Sequence, residues 1–212
     1  MPEISNAREA ILDRIRAANT TANATAHTTD YRTIERNYQQ TSSLDRETIL
    51  KTFLDHLHEY DAHVLEAKRD TLAATIAEVM KSHCQKSAIV ADNFPDENLP
   101  AGFSFQRESE STKDQLNVAE GGISGCEVAI AHTGTIILKG ARKMTLLPDR
   151  FLCVVYENQI VDAVPEAIAG LEQFKTEPLT FISGPSATAD IEMTRIRGVH
   201  GPRFLDVVLV RN

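Results

Sequence analysis

The sequence predicts an α/β protein: an open, mainly parallel sheet with flanking helices, preceded by an N-terminal helix and a flexible linker. Three observations carry this. Amphipathic helical stretches alternate with short β-rich runs between residues 45 and 91, the order of crossover units in a parallel sheet. Later runs, Phe151–Tyr156 and Leu205–Val210, are dominated by apolar residues and read as buried strands. A polar Ala/Thr-rich stretch, residues 17–30, sets the first helical pattern apart from the rest.

Residues 5–18 place Ala7, Ile11, Ile15 and Ala18 at helical spacing, with Ser5 able to cap the start. Residues 17–30 offer little to bury and read as a linker. Residues 31–43 are polar but carry Tyr31, Ile34 and Tyr38, which suits a strap onto the domain or a partner. The compact part is expected to begin near Ser43, dividing the chain into 1–43 and 44–212.

Residues 45–60 align Ile49, Phe53, Leu57 and Tyr60, with Asp45 and Glu47 complementing the dipole of the first turn. A strand at His63–Ala67 follows. A helix over 71–83 turns Leu72, Ile76, Val79 and Met80 inward, and Ser87–Ala91 is the next strand. A further strand is expected at Phe103–Gln106. Val128–Ala131 and Thr135–Leu138 read as strands joined by the turn His132–Gly134. After the strand 151–156 come a helix over 163–174, a strand at Leu179–Ile182 and a last strand, Leu205–Val210, closing the sheet. Open α/β sheets bind ligands beyond the carboxyl ends of their strands. That rule directs attention to the loops after 128–138 and 179–182.

Composition narrows the function. The net charge is −8, from 30 acidic and 22 basic residues, so no nucleic-acid partner is expected. Cys84, Cys126 and Cys153 are scattered, with no CxxC pair. This suits a reducing cytoplasm and excludes a self-contained four-cysteine cluster. No apolar run reaches a membrane-spanning length, and the N-terminus does not read as a signal peptide. No cofactor fingerprint and no metal set are expected. His56 and His58 point to different helix faces, and they and His63 read as surface residues.

Three segments are candidates for chemistry. In Phe181–Glu192 an apolar strand runs into small polar residues, and a helical turn is expected near Pro185. Its free N–H groups, with Ser183, Gly184, Ser186 and Thr188, would hold an anion. Asp190 and Glu192 suit sugar hydroxyls, a metal or an arginine; alternatively the segment is a capped turn with solvated carboxylates. In Gly198-Val199-His200-Gly201-Pro202, His200 is a candidate general acid or base beside Gly201, or a loop histidine bonded for structure. In the third, Glu120 is a candidate nucleophile or base. Gly121, Gly122, Thr133, Gly134 and Thr135 would line a ligand or simply make turns. Arg142-Lys143, Arg195, Arg197 and Arg203 are small basic groups that suit a carboxylate or phosphate, or pairing with Asp190 and Glu192; for most of them the alternative is ordinary solvated charge.

Ser183-Gly184-Pro185-Ser186-Ala187-Thr188-Ala189-Asp190-Ile191-Glu192 followed by Gly198–Pro202 resembles the C-terminal signature of the lactate-utilisation protein C family, the LUD-domain proteins. Gly122–Cys126, Ala129–Thr135 and Met144–Pro148 are similar to its central signature. The resemblance spans about residues 44–212. His132 stands where the family tends to have an acid. The resemblance implies a NagB/RpiA/CoA-transferase-like fold. It also implies an accessory role in oxidation of L-lactate to pyruvate, beside two partner proteins that carry the iron–sulfur clusters. It implies no established catalytic set. The alternatives are a stand-alone enzyme of that fold acting on a phosphosugar, acyl-CoA or folate-like ligand, with Glu120, Asp190 and His200 as acid–base candidates, and a small-molecule-sensing module.

Overall fold

The computed structural model describes residues 4–25, 33–140, 142–188 and 196–211. Met1–Tyr38 and Gln39–Asn212 form two compact units. The first holds α1 (Ile4–Thr25), in which Ile11 and Ile15, four residues apart, are both exposed. The helix extends past residue 18 into the stretch expected to be linker. Alanine is the best helix former, and its frequency there carries the helix on.

The second unit contains α2 (Arg46–Glu59), β1 (His63–Lys68), α3 (Leu72–Ser82), β2 (Ser87–Val90), β3 (Ser104–Arg107), α4 (Lys113–Asn117), β4 (Gly122–Gly125), β5 (Val128–Ile130) and β6 (Thr135–Lys139). These are followed by β7 (Arg150–Tyr156), β8 (Ile160–Val161), α5 (Val164–Gly170), β9 (Leu179–Ile182), β10 (Ala187–Thr188), β11 (Ile196–Arg197) and β12 (Phe204–Arg211). A six-stranded sheet runs β1-β12-β7-β4-β2-β3, and its strand pairs are all parallel.

Local chemistry accounts for the helices. Asp45 caps α2 by accepting the Thr48 N–H at 3.0 Å, satisfying an otherwise orphan donor. Ile49, Leu50, Phe53 and Leu57 are buried along one side of α2. Leu72, Ile76, Val79 and Met80 do the same for α3. That helix ends at Ser82 with His83 as its cap, and Cys84, just beyond, takes a φ of 56° in the left-handed region used to terminate helices. The strands β7 and β12 are covered on both faces, and Phe151–Val155 and Leu205–Val210 are all buried.

Four features differ from the sequence expectation. The strands at 128–138 and 179–182 belong to a separate sheet, β8-β5-β6-β9, in which β6 is antiparallel to both neighbours. The C-terminal strand lies inside the parallel sheet, between β1 and β7, instead of closing it. Its buried apolar run fits an interior position, whereas in β1 only Ala67 is buried, as suits an edge strand. Gly122–Gly125 is a strand and not only a turn. A Cβ on Gly122 would come within 2.7 Å of Met144 Cγ, so the glycine admits a neighbour that any side chain would displace. Finally, Pro185 opens no helical turn: Ala187–Thr188 pairs antiparallel with Ile196–Arg197. The Ser186 N–H goes to Pro202 O at 2.8 Å and the Gly198 N–H to Ser186 O at 2.8 Å. These backbone groups are thus bound across the chain and do not lie free at a helix start.

Candidate functional site

A cavity of ≈ 370 Å³ brings the Ser183–Ala187 loop against the His200–Pro202 loop. Ser183, Gly184, Ser186, His200 and Gly201 all line it, joined by Arg142. Its floor includes Phe151 and Leu205, the second residues of β7 and β12. The cavity therefore meets the parallel sheet at its amino ends, not at the carboxyl ends that the general rule favours. The loop after β9 does reach it, but β9 belongs to the second sheet. At the carboxyl ends of β2 and β3 lies a smaller cavity of ≈ 250 Å³, lined by Asp92, Glu108, Lys139 and Glu177. Burial raises the pKa of the Glu108 carboxyl, and the neighbouring Asp92 charge adds to the effect.

The cavity walls are fixed by short hydrogen bonds. Thr135 Oγ1 lies 2.8 Å from Ser183 Oγ and 2.7 Å from Thr133 Oγ1. Thr135 is buried, so these hydroxyls tie the start of β6 to the loop after β9. Ser186 Oγ accepts the His200 N–H at 3.3 Å. Gly201 leaves room for Ser186, whose Cβ would lie 3.3 Å from an added methyl. Gly134 and Gly184 have φ of 58° and 83° and press against the last turn of α2. Thr133, Gly134 and Thr135 thus support the cavity wall, while Ser183, Gly184 and Ser186 face the space. Thr188 lies in β10, paired with Ile196. Asp190, Glu192 and Arg195 lie outside the described residues.

Glu120 does not line this cavity. Its Oε2 accepts N–H groups from Lys86 at 2.6 Å and Ser87 at 2.8 Å, and the Ser87 hydroxyl at 3.2 Å. The two N–H bonds, first Lys86 and then Ser87, lower its pKa. Gly121 packs beside Gln85, whose side chain donates to Glu120 O at 2.6 Å. The carboxylate therefore fastens the start of β2 to the segment entering β4. Of the other basic candidates, Arg203 pairs with Asp149 and Arg197 with Asp61. Cys126 and Cys153 are buried, and burial pushes both thiols up, which disfavours thiolate chemistry.

Sequence reasoning passed over Thr145, Thr180 and Phe181 as cavity residues. It also passed over His83 and Asp206. His83 Nε2 and His63 Nδ1 both meet Asp206 Oδ1, at 3.3 and 2.9 Å. The available signal was a lone acid inside the apolar run Leu205-Asp206-Val207-Val208-Leu209-Val210.

Among the described residues, no helix is long and apolar enough to cross a membrane. The LUD domain model matches residues 2–210. A protein named lactate utilization protein C from Deinococcus radiodurans is 38% identical over 181 residues, covering 82% of this chain and 84% of the relative. A protein of the same name from Anoxybacillus flavithermus is 28% identical over 185 residues, covering 80% and 81%. A crystal structure of a DUF162 family protein from Deinococcus radiodurans matches with a TM-score of 0.68 at 34% identity, covering 79% of this chain and 99% of that one. With the family model spanning nearly its whole length and such relatives matching most of it, this chain belongs to the LUD domain family.

Proposed function

We propose that this chain serves lactate utilisation. In this reading it is a cytoplasmic accessory subunit that acts with two iron–sulfur partner proteins in oxidising L-lactate to pyruvate. The observation that carries it is the relative named lactate utilization protein C, 38% identical over 82% of this chain. The burial of two of the three cysteines agrees with placing the clusters on the partners. Residues 44–212 form the LUD-type domain, and the helix within 1–43, with Ile11 and Ile15 exposed on one face, is the docking element.

In the cavity, the Arg142 charge and the Ser183 and Ser186 hydroxyls suit a small anionic ligand such as a carboxylate. Glu120 is assigned a supporting role, and His200 the part of acid or base at the rim. A strain lacking this chain is expected to fail on lactate as sole carbon source, and the tagged chain to co-purify with two cluster-bearing proteins. Normal growth, with neither protein recovered, overturns the reading.

The cavity favours one second reading, a stand-alone enzyme of the CoA-transferase-like fold that takes a phosphosugar, acyl-CoA or folate-like ligand. Its size and its arginine accommodate part of any of these. A ligand binding only the native state raises the melting temperature. If no member of the three classes does so at millimolar concentration, this reading fails.

A further inference from the structure

β12 is an interior strand of a parallel sheet, apolar from Leu205 to Val210 except for Asp206, which is 1% exposed. A carboxylate there is costly unless opposite charge or a metal compensates it. Its two oxygens have different surroundings. Oδ1 faces His63 Nδ1 at 2.9 Å and His83 Nε2 at 3.3 Å. Oδ2 is buried without a hydrogen bond among the described residues, with Arg150 Nη1 as its ion-pair partner at 3.5 Å. Arg150 is itself held over the Phe204 ring, 4.2 Å from the centroid.

The fold brings these groups together by register. His63 opens β1 directly opposite Asp206 in the parallel pairing, which puts both on one face of the sheet. His83 caps the end of α3, which packs against β1 and β12. Phe151 and Leu205, which line the cavity described above, alternate with Arg150 and Asp206. The histidine–aspartate cluster therefore lies on the opposite face of the sheet, separate from that cavity.

We propose that His63, His83 and Asp206 bind a divalent transition-metal ion of the zinc class. The imidazole Nδ1, the imidazole Nε2 and a carboxylate oxygen lie within 4.8 Å of one another. Tetrahedral zinc, at about 2.0–2.2 Å from nitrogen and oxygen donors, sets neighbouring ligand atoms roughly 3.3 Å apart. The His83 nitrogen already stands at that spacing from Asp206 Oδ1, at 3.3 Å, while the His63 nitrogen, at 2.9 Å, must move out by a few tenths of an ångström. The nitrogen–nitrogen distance, within 4.8 Å, is adjusted by the solvent-facing His63 side chain on binding. Two imidazoles and one carboxylate favour zinc, iron(II) or cobalt(II) over calcium and magnesium. The His63 side chain is 59% exposed, so the remaining coordination position opens to solvent, as in three-ligand sites. Arg150 orients the ligating carboxylate from its far oxygen.

The test uses the full chain, stripped with a chelator and titrated with zinc by calorimetry. Cobalt(II) serves as the spectroscopic probe of the ligand field. The expected result is one zinc per chain and a visible cobalt spectrum. His63→Ala and His83→Ala should each weaken binding by at least the 10- to 100-fold typical of losing even an outer-shell partner. His58→Ala, an exposed histidine outside the cluster, should bind as the parent does. Circular dichroism verifies that the variants fold, and both avoid removing the buried Asp206. Absence of stoichiometric zinc binding by the parent overturns the proposal, as does undiminished binding by either cluster variant. The histidines would then serve only to neutralise the buried carboxylate.

Discussion

Thr135 Oγ1 and Ser183 Oγ lie 2.8 Å apart, joining residues 48 positions apart in sequence at the wall of the cavity. Thr135 belongs to β6 and Ser183 follows β9, so the bond fixes the position at which the chain leaves the second sheet. Thr133 Oγ1 extends the chain of hydroxyls.

Thr135→Val keeps the shape and removes the hydroxyl. It is expected to cost about 1 kcal/mol of unfolding free energy, the usual net worth of an internal hydrogen bond. Ser183→Ala should cost a similar amount. The double variant should lose less than the two single losses together, because one bond is counted in both. Urea denaturation of the four proteins measures this. Strict additivity would mean that the two hydroxyls do not interact.

Gly184 and Gly140 separate backbone strain from steric exclusion. Both have positive φ, 83° and 64°. A Cβ on Gly184 would come within 2.5 Å of Tyr60 Cβ, whereas one on Gly140 meets nothing within 4 Å. Gly140→Ala should therefore lose only about 1 kcal/mol for the left-handed conformation. Gly184→Ala should lose roughly 2–4 kcal/mol, because the loop must also move away from α2. Thermal melts of both variants should show the larger drop for Gly184→Ala. Equal drops would remove the packing argument.

The same residues show what a sequence discloses. α2 was legible because its signals are local: a capping Asp45 followed by Ile49, Phe53 and Leu57 at helical spacing. The cavity loops were legible because small residues cluster in Ser183–Ser186 and around His200. The partition into two sheets was not, since the local texture of Thr135–Leu138 is the same in either sheet. The short turn between β5 and β6 makes that pair antiparallel locally, but the pairing of β6 with β9 is settled by long-range packing. The bend at Pro185 misled because proline suits a helix start, yet the partners of Ser186 are Pro202 and Gly198. His63 and Asp206 stand 143 positions apart, a separation at which no spacing rule operates.

Glu120 should reveal its role through pH. Its pKa lies below the ordinary glutamate value of 4.5 because the N–H groups of Lys86 and Ser87 favour the ionised form. A carboxyl depressed on folding contributes stability that is present above its unfolded pKa and lost as pH falls through its folded one. The parent should therefore lose this contribution as pH drops below about 5. Glu120→Gln should show a flatter stability profile over that range. Parallel acid profiles for the two proteins would show that the latch does not matter.

Glu166 holds the entry of the chain into the compact unit. Its Oε1 accepts the Ser42 N–H at 2.9 Å, and its Oε2 accepts those of Ala163 at 2.9 Å and Asp162 at 3.1 Å. These bonds, with Ser42 the largest cause, lower its pKa. The Ser42 hydroxyl completes the clasp by donating to Asp162 Oδ2 at 2.6 Å. Glu166→Ala removes three acceptor contacts at the start of α5, while Asp162 keeps one hold on Ser42. The expected loss is about 1.5–3 kcal/mol, the range for hydrogen bonds to a charged group. Amide exchange should localise part of the effect: the Ser42 amide is expected to exchange much faster in the variant. Leu50 and Phe53, packed in α2, should change only in step with global stability. If protection at Ser42 survives, the clasp depends on the Asp162 contact alone.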